Sequence, residues 1–134
     1  MAWTEVDLAT VNPNLEPIGE GEYTLQLLGA NYDERDSQRI NVRASIVSDG
    51  EYTGRKVFFS YPDPMKQEWS PRVLKRLEQA IGVDATPGED PVGFLNRAQG
   101  ARFATQIKHR RYTPEGGSEV VRTEVNIFGV RPSA

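Results

Sequence analysis

The amino-acid sequence predicts a mainly β domain: five strands, with one α-helix between the third and the fourth. Three features point there. Apolar residues recur at every second position in five separate stretches, Gly-containing turns divide them, and one segment carries its apolar residues at helical spacing. At 134 residues the chain is one domain's worth, long enough to fold on one core without metal or disulfide staples.

Residues 1–20, with Pro13, Pro17 and no sustained period, read as an extended acidic arm, and the domain proper is expected over 21–128 with a short tail at 129–134. The first strand starts at Gly21, where Tyr23, Leu25 and Leu27 alternate with Thr24, Gln26 and Leu28, and a polar loop follows at 31–38. Ile40, Val42, Ala44 and Ile46 alternate with Asn41, Arg43 and Ser45, a strand with one buried face. Asp49-Gly50 supplies residues that tolerate positive φ, so a hairpin turn is expected before the third strand at 55–61. There Val57, Phe59 and Tyr61 share one face and Lys56, Phe58 and Ser60 the other.

Ser70 as N-cap, Pro71 in the first turn, an apolar stripe of Val73, Leu74, Leu77 and Ile81, and Gly82 as a left-handed stop define the helix. Residues 84–91 read as a loop and 92–95 as a short turn. The last two strands are expected at 101–111 and 119–128, joined by a Gly-Gly tip. Three strands, a helix and two strands is the arrangement of the OB-fold, a five-stranded Greek-key barrel, although a half-barrel or an α+β sandwich gives the same string.

Composition narrows function. With no Cys there is no disulfide framework, thiolate metal site or cysteine nucleophile, and the only histidine, His109, would have to serve any His-based triad. No apolar run approaches the length of a membrane span, and the first residues lack a signal-peptide pattern. Phosphate loops and His-carboxylate metal spacings are absent from the sequence. Asp33, Glu34 and Asp36 crowd one loop with Arg35 among them, a pattern that reads as a solvated turn more than as a metal site. No enzyme activity, catalytic residue, metal or cofactor is expected.

The formal charge of −3 argues against a nucleic-acid ligand until it is divided along the chain. Residues 1–36 hold eight acids against Arg35 alone, whereas residues 37–134 hold fifteen bases and eleven acids. The body is mildly basic.

In an OB-fold, ligands lie on strands two and three between the loops that join strands one to two and four to five. Placed on that plan, Arg43, Lys56 and Phe58 form the centre of an exposed face. Arg39, Arg55 and Tyr32 flank it on one side, Lys108, Arg110, Arg111, Tyr112 and Arg122 on the other, and Tyr61, beside Pro62, is placed at the rim. Cations neutralise phosphates and flat rings stack bases, which is what a single strand requires of a protein. Each has a plainer role as well: Phe58 could equally pack in the core, Trp69 reads as a brace for the start of the helix, and Arg122 could pair with Glu119 or Glu124.

Gly21-Glu22-Tyr23, the stretch Asp49-Gly50-Glu51-Tyr52-Thr53-Gly54-Arg55-Lys56-Val57-Phe58, and Leu74, Leu77, Ala80, Ile81 and Gly82 together resemble a family of small phage-encoded OB-fold proteins regarded as single-stranded DNA-binding proteins. The resemblance spans about residues 18–128. It implies binding of single-stranded DNA, with RNA left open, without base specificity, in support of phage DNA replication or recombination. A homo-oligomer in the host cytoplasm is expected, with replication or recombination proteins as partners and no membrane. The alternative function is a β-barrel protein–protein interaction module of a phage replication or assembly complex; a metal-dependent nuclease ranks third. The acidic arm is expected to compete with DNA for the basic face or to contact a partner.

Overall fold

A computed structural model describes residues 3–5, 18–113 and 115–133. Its strands are β1 (Gly21–Tyr32), β2 (Ile40–Ile46), β3 (Lys56–Tyr61), β4 (Arg102–Tyr112), β5 (Val120–Val125) and β6 (Arg131–Pro132); α1 (Ser70–Ile81) and α2 (Pro91–Arg97) lie between β3 and β4. The mainly β class follows as expected. All pairings are antiparallel, in the order β3-β2-β1-β4-β5, and β6 takes the edge of β4 beyond the end of β5. β3 and β5 face each other without a ladder.

The alternation of apolar side chains sets the inner face. Leu25 and Leu27 of β1, Val42, Ala44 and Ile46 of β2, Val57 and Phe59 of β3, and Phe103 and Ile107 of β4 are all buried. Each large apolar side chain removed from water contributes about 1.5–3 kcal/mol, which is why register follows this pattern and no other. Phe59 lies edge-on to Phe103 and Tyr61 at 6.1 and 5.9 Å between ring centroids. Helix α1 covers this core with Val73, Leu77 and Ala80 and turns Arg72, Lys75 and Arg76 to solvent, as the stripe predicts. Gly82 ends it in the left-handed conformation (φ 70°), its N–H donating to the Glu78 carbonyl.

Four local features differ from expectation, besides the sixth strand, β6, which part of the expected C-terminal tail forms against β4. Ser70 is the first helical residue, and Trp69 occupies the cap; the Ser70 hydroxyl donates instead to the Pro62 carbonyl at 2.8 Å, tying the helix to the end of β3. A buried hydroxyl is satisfied wherever an acceptor is nearest, and here that is not its own helix. Residues 92–95 belong to the helix α2, capped by Asp90, whose carboxylate accepts the Gly93 N–H at 3.1 Å. β5 stops at Val125, because Asn126 turns the chain into a short 3₁₀ segment (Ile127–Gly129). β1 runs on to Tyr32 through a bulge between Leu27 and Gly29.

Both ends of the described body join the core. Ile18 is buried, and the His109 ring Nε2 lies 2.6 Å from its carbonyl, so that this nitrogen donates. The His109 N–H donates to Glu20. At the other end, residues 131–132 form β6 against Phe103 and Ala104.

Candidate nucleic-acid interface

The outer face of β2 and β3 is built by the same alternation that fills the core. With Val42 and Phe59 paired inward, Arg43 and Phe58 fall opposite each other on the outside, flanked by Asn41 opposite Ser60 and Ser45 opposite Lys56. Phe58 is 65% exposed. It stands between two grooves. One, of about 440 Å³, is lined by Arg43, Asn31 and Asn41; the other, of about 560 Å³, lies between β3 and β5 and is lined by Arg39, Lys108 and Phe128 among others.

The cations are set in place by specific neighbours. Across the β1 ladder from Arg43 is Gly29, where a Cβ would meet the Arg43 Nη2 at 2.8 Å and the Asn96 Oδ1 at 3.0 Å. The missing side chain leaves room for the guanidinium against the sheet. Asn96 also holds the bulge, accepting from the Ala30 N–H at 3.0 Å and donating to the Ala30 carbonyl at 3.1 Å. Arg39 reaches across to β3 and donates to the Ser60 Oγ at 2.6 Å. The loop behind it is self-contained: Asp33 accepts from the N–H groups of Arg35 and Asp36 and from Asn41, and these bonds hold its carboxyl below the usual range.

Of the sequence-predicted residues, the structure brings Arg39, Arg43, Lys56, Phe58 and Lys108 to one surface. Arg110, Arg111 and Arg122 are exposed further along the β4–β5 ladder, where Arg110 faces Arg122 directly and Arg111 lies 3.7 Å from Glu119. Arg55 is half-buried and lies over the Tyr52 ring at 5.9 Å, lining neither groove. Tyr32 is 38% exposed, and its hydroxyl donates to Asp90 at 2.6 Å, a bond that pushes its pKa up to about 12.

Tyr61 is not at a rim. It is 1% exposed, because the alternation of β3 continues to its last residue and sets Tyr61 opposite the inward-facing Ile40. Its hydroxyl has no partner among the described residues, and burial pushes its pKa up. The Tyr112 side chain lies outside the described residues, as does most of the arm.

Sequence reasoning missed Phe128 and favoured for Trp69 the role of a brace over that of a stacking platform. Phe128 is 52% exposed, its ring 4.9 Å from that of Trp69, and both line the larger groove. The available signal was the alternation itself: with Val125 inward, Phe128 has outward parity, and Asn126 caps the short turn that carries it. Among the described residues no cluster of acids, His or Cys could hold a metal ion, and no helix is long and apolar enough to cross a membrane. Compared with protein-family models and with curated proteins, the chain matches none.

Proposed function

We propose that this chain is a single-stranded DNA-binding protein without base specificity, built on the OB-fold plan, that supports phage DNA replication or recombination in the host cytoplasm. The observation that carries the proposal is Phe58, a ring in mid-strand, 65% exposed, with Arg43 opposite it and Arg39 and Lys108 along the adjoining groove. Stacking on such a ring is worth about 1–3 kcal/mol per base and suits any base, while the cations neutralise the backbone. The fold plan is supported by the strand order: β1 pairs with both β2 and β4, and β3 lies opposite β5, the pair that would close a five-stranded barrel.

The exposed apolar rings of Phe58 and Phe128 also suit a protein partner, which is the second function considered. Salt separates the two. If Arg39, Arg43, Lys56 and Lys108 each neutralise one phosphate, log Kobs for a labelled oligothymidine falls linearly with log salt with a slope of about −3, and affinity drops roughly 50-fold between 50 and 200 mM. No binding at 50 mM salt would refute the DNA proposal. Equal affinity for duplex would leave charge without stacking, and tighter binding of an RNA oligomer would move the ligand class to RNA.

A further inference from the structure

The groove between β3 and β5 ends on a second pair of rings outside the Phe58 face. Phe128 is exposed yet fixed on three sides. Its N–H donates to the Asn126 Oδ1 at 3.1 Å, its carbonyl accepts from the Arg76 Nη1 at 3.2 Å, and its ring meets Trp69 at a 49° tilt. At Gly129 a Cβ would meet the Asn126 Nδ2 at 2.7 Å, so the absence of a side chain there lets Asn126 fold over the turn. Trp69 is anchored in its turn by its indole N–H, which donates to the Gln67 Oε1 at 3.0 Å. An apolar ring held rigidly in the open is preorganised for a flat ligand, since the ordering that binding would otherwise require is already done.

Along the groove from Phe58 to these rings stand Arg39 and Lys108. Glu124 is the only acid among the described residues lining it, and it lies directly across the ladder from Lys108. Cations between two aromatic stations are what a continuous strand demands: a base at each ring and phosphates between.

We propose that Trp69 and Phe128 form a second base-stacking subsite, so that the strand covering Phe58 continues between β3 and β5 with its phosphates on Arg39 and Lys108. This rests on the single-strand-binding function proposed above. The test uses the full chain carrying Trp3→Phe, which leaves Trp69 as the only indole, titrated at low salt with oligothymidines of about 4 to 16 nucleotides. The expected result is quenching of Trp69 by the longer oligomers. Phe128→Ala should weaken their binding roughly 5- to 150-fold and leave the shortest binding oligomer unaffected, and Phe128→Tyr should restore wild-type affinity. Thermal melts identify a variant that fails to fold; in that case the quenching in the parent chain and the affinity of Phe128→Tyr decide. If the parent binds while Trp69 stays unquenched and Phe128→Ala keeps full affinity, the subsite is overturned and the Phe58 face stands. If the parent binds no oligomer, the function falls first and the subsite with it.

Discussion

A phenylalanine left in water forgoes about 1.5–3 kcal/mol that burial would supply, and Phe58 does so in the middle of a strand whose neighbours Val57 and Phe59 are both buried. Its exposure is enforced by parity rather than by crowding, so removing the ring should cost the fold little. Phe58→Ala is expected to weaken oligothymidine binding by about 1–3 kcal/mol while the melting temperature stays within a degree or two. A lower melting temperature with unchanged affinity would make Phe58 a packing residue. Tyr61 gives the opposite prediction. Its buried hydroxyl lacks a partner among the described residues, so Tyr61→Phe removes an uncompensated polar atom and should leave stability equal or higher and binding unchanged. A clear fall in melting temperature would mean that the hydroxyl is bonded in solution. The two rings, three residues apart, show what the sequence discloses at this scale. Alternation assigns each to a face, and in both cases the assigned parity is correct; it was the proline after Tyr61 that suggested an exposure the strand does not permit.

Between strand and helix, the ties are made by polar side chains whose partners are distant in the chain. Helix α2 braces β1 through Asn96 at the bulge and through the Tyr32–Asp90 bond. The loop before it is fastened by Arg97, which donates through Nε and Nη2 to the two oxygens of Glu89, each at 2.9 Å, and to the Asp84 carbonyl. These bonds lower the Glu89 pKa from an ordinary 4.5 to about 2. A carboxylate with a depressed folded-state pKa stabilises the fold fully above its unfolded value and loses that contribution as pH falls. The stability difference between wild type and Glu89→Gln should therefore be constant above about pH 5 and shrink between 4.5 and 2, measured by denaturant midpoint. A difference that stays the same at pH 2.5 and pH 6 would show that the ion pair does not fasten the loop. Such ties are hard to read beforehand, since Asn96 and Ala30, or Ser70 and Pro62, meet only after the sheet has formed. Strands β2 and β3 and helix α1 were legible because alternation, the helical stripe and the Gly82 stop are local, although Ser70 is not the cap. The short α2 offered only its Asp-Pro start, and two residues of β6 show no period at all.

Over the whole molecule, charge is arranged along the chain and its consequence can be measured. Residues 1–17 contain Glu5, Asp7 and Glu16 and no base, while the surface around Phe58 is lined by Arg39, Arg43, Lys56 and Lys108. Ile18 is buried and its carbonyl accepts from His109, so a truncation that keeps this contact stops at residue 17. That deletion raises the formal charge from −3 to zero. Unit charges in water interact by about 1 kcal/mol at contact and less with distance, so three acids near the basic face would suppress binding of a polyanion by roughly 2- to 10-fold. Removing them should raise affinity for oligothymidine by that factor at 50 mM salt. The gain should vanish near 1 M, where the screening length has shrunk to about 3 Å. A gain that persists at high salt would mean that the segment covers the site sterically rather than by charge. Unchanged affinity at low salt would mean that the acids lie away from the face, and the split of charge along the chain would then have no bearing on binding.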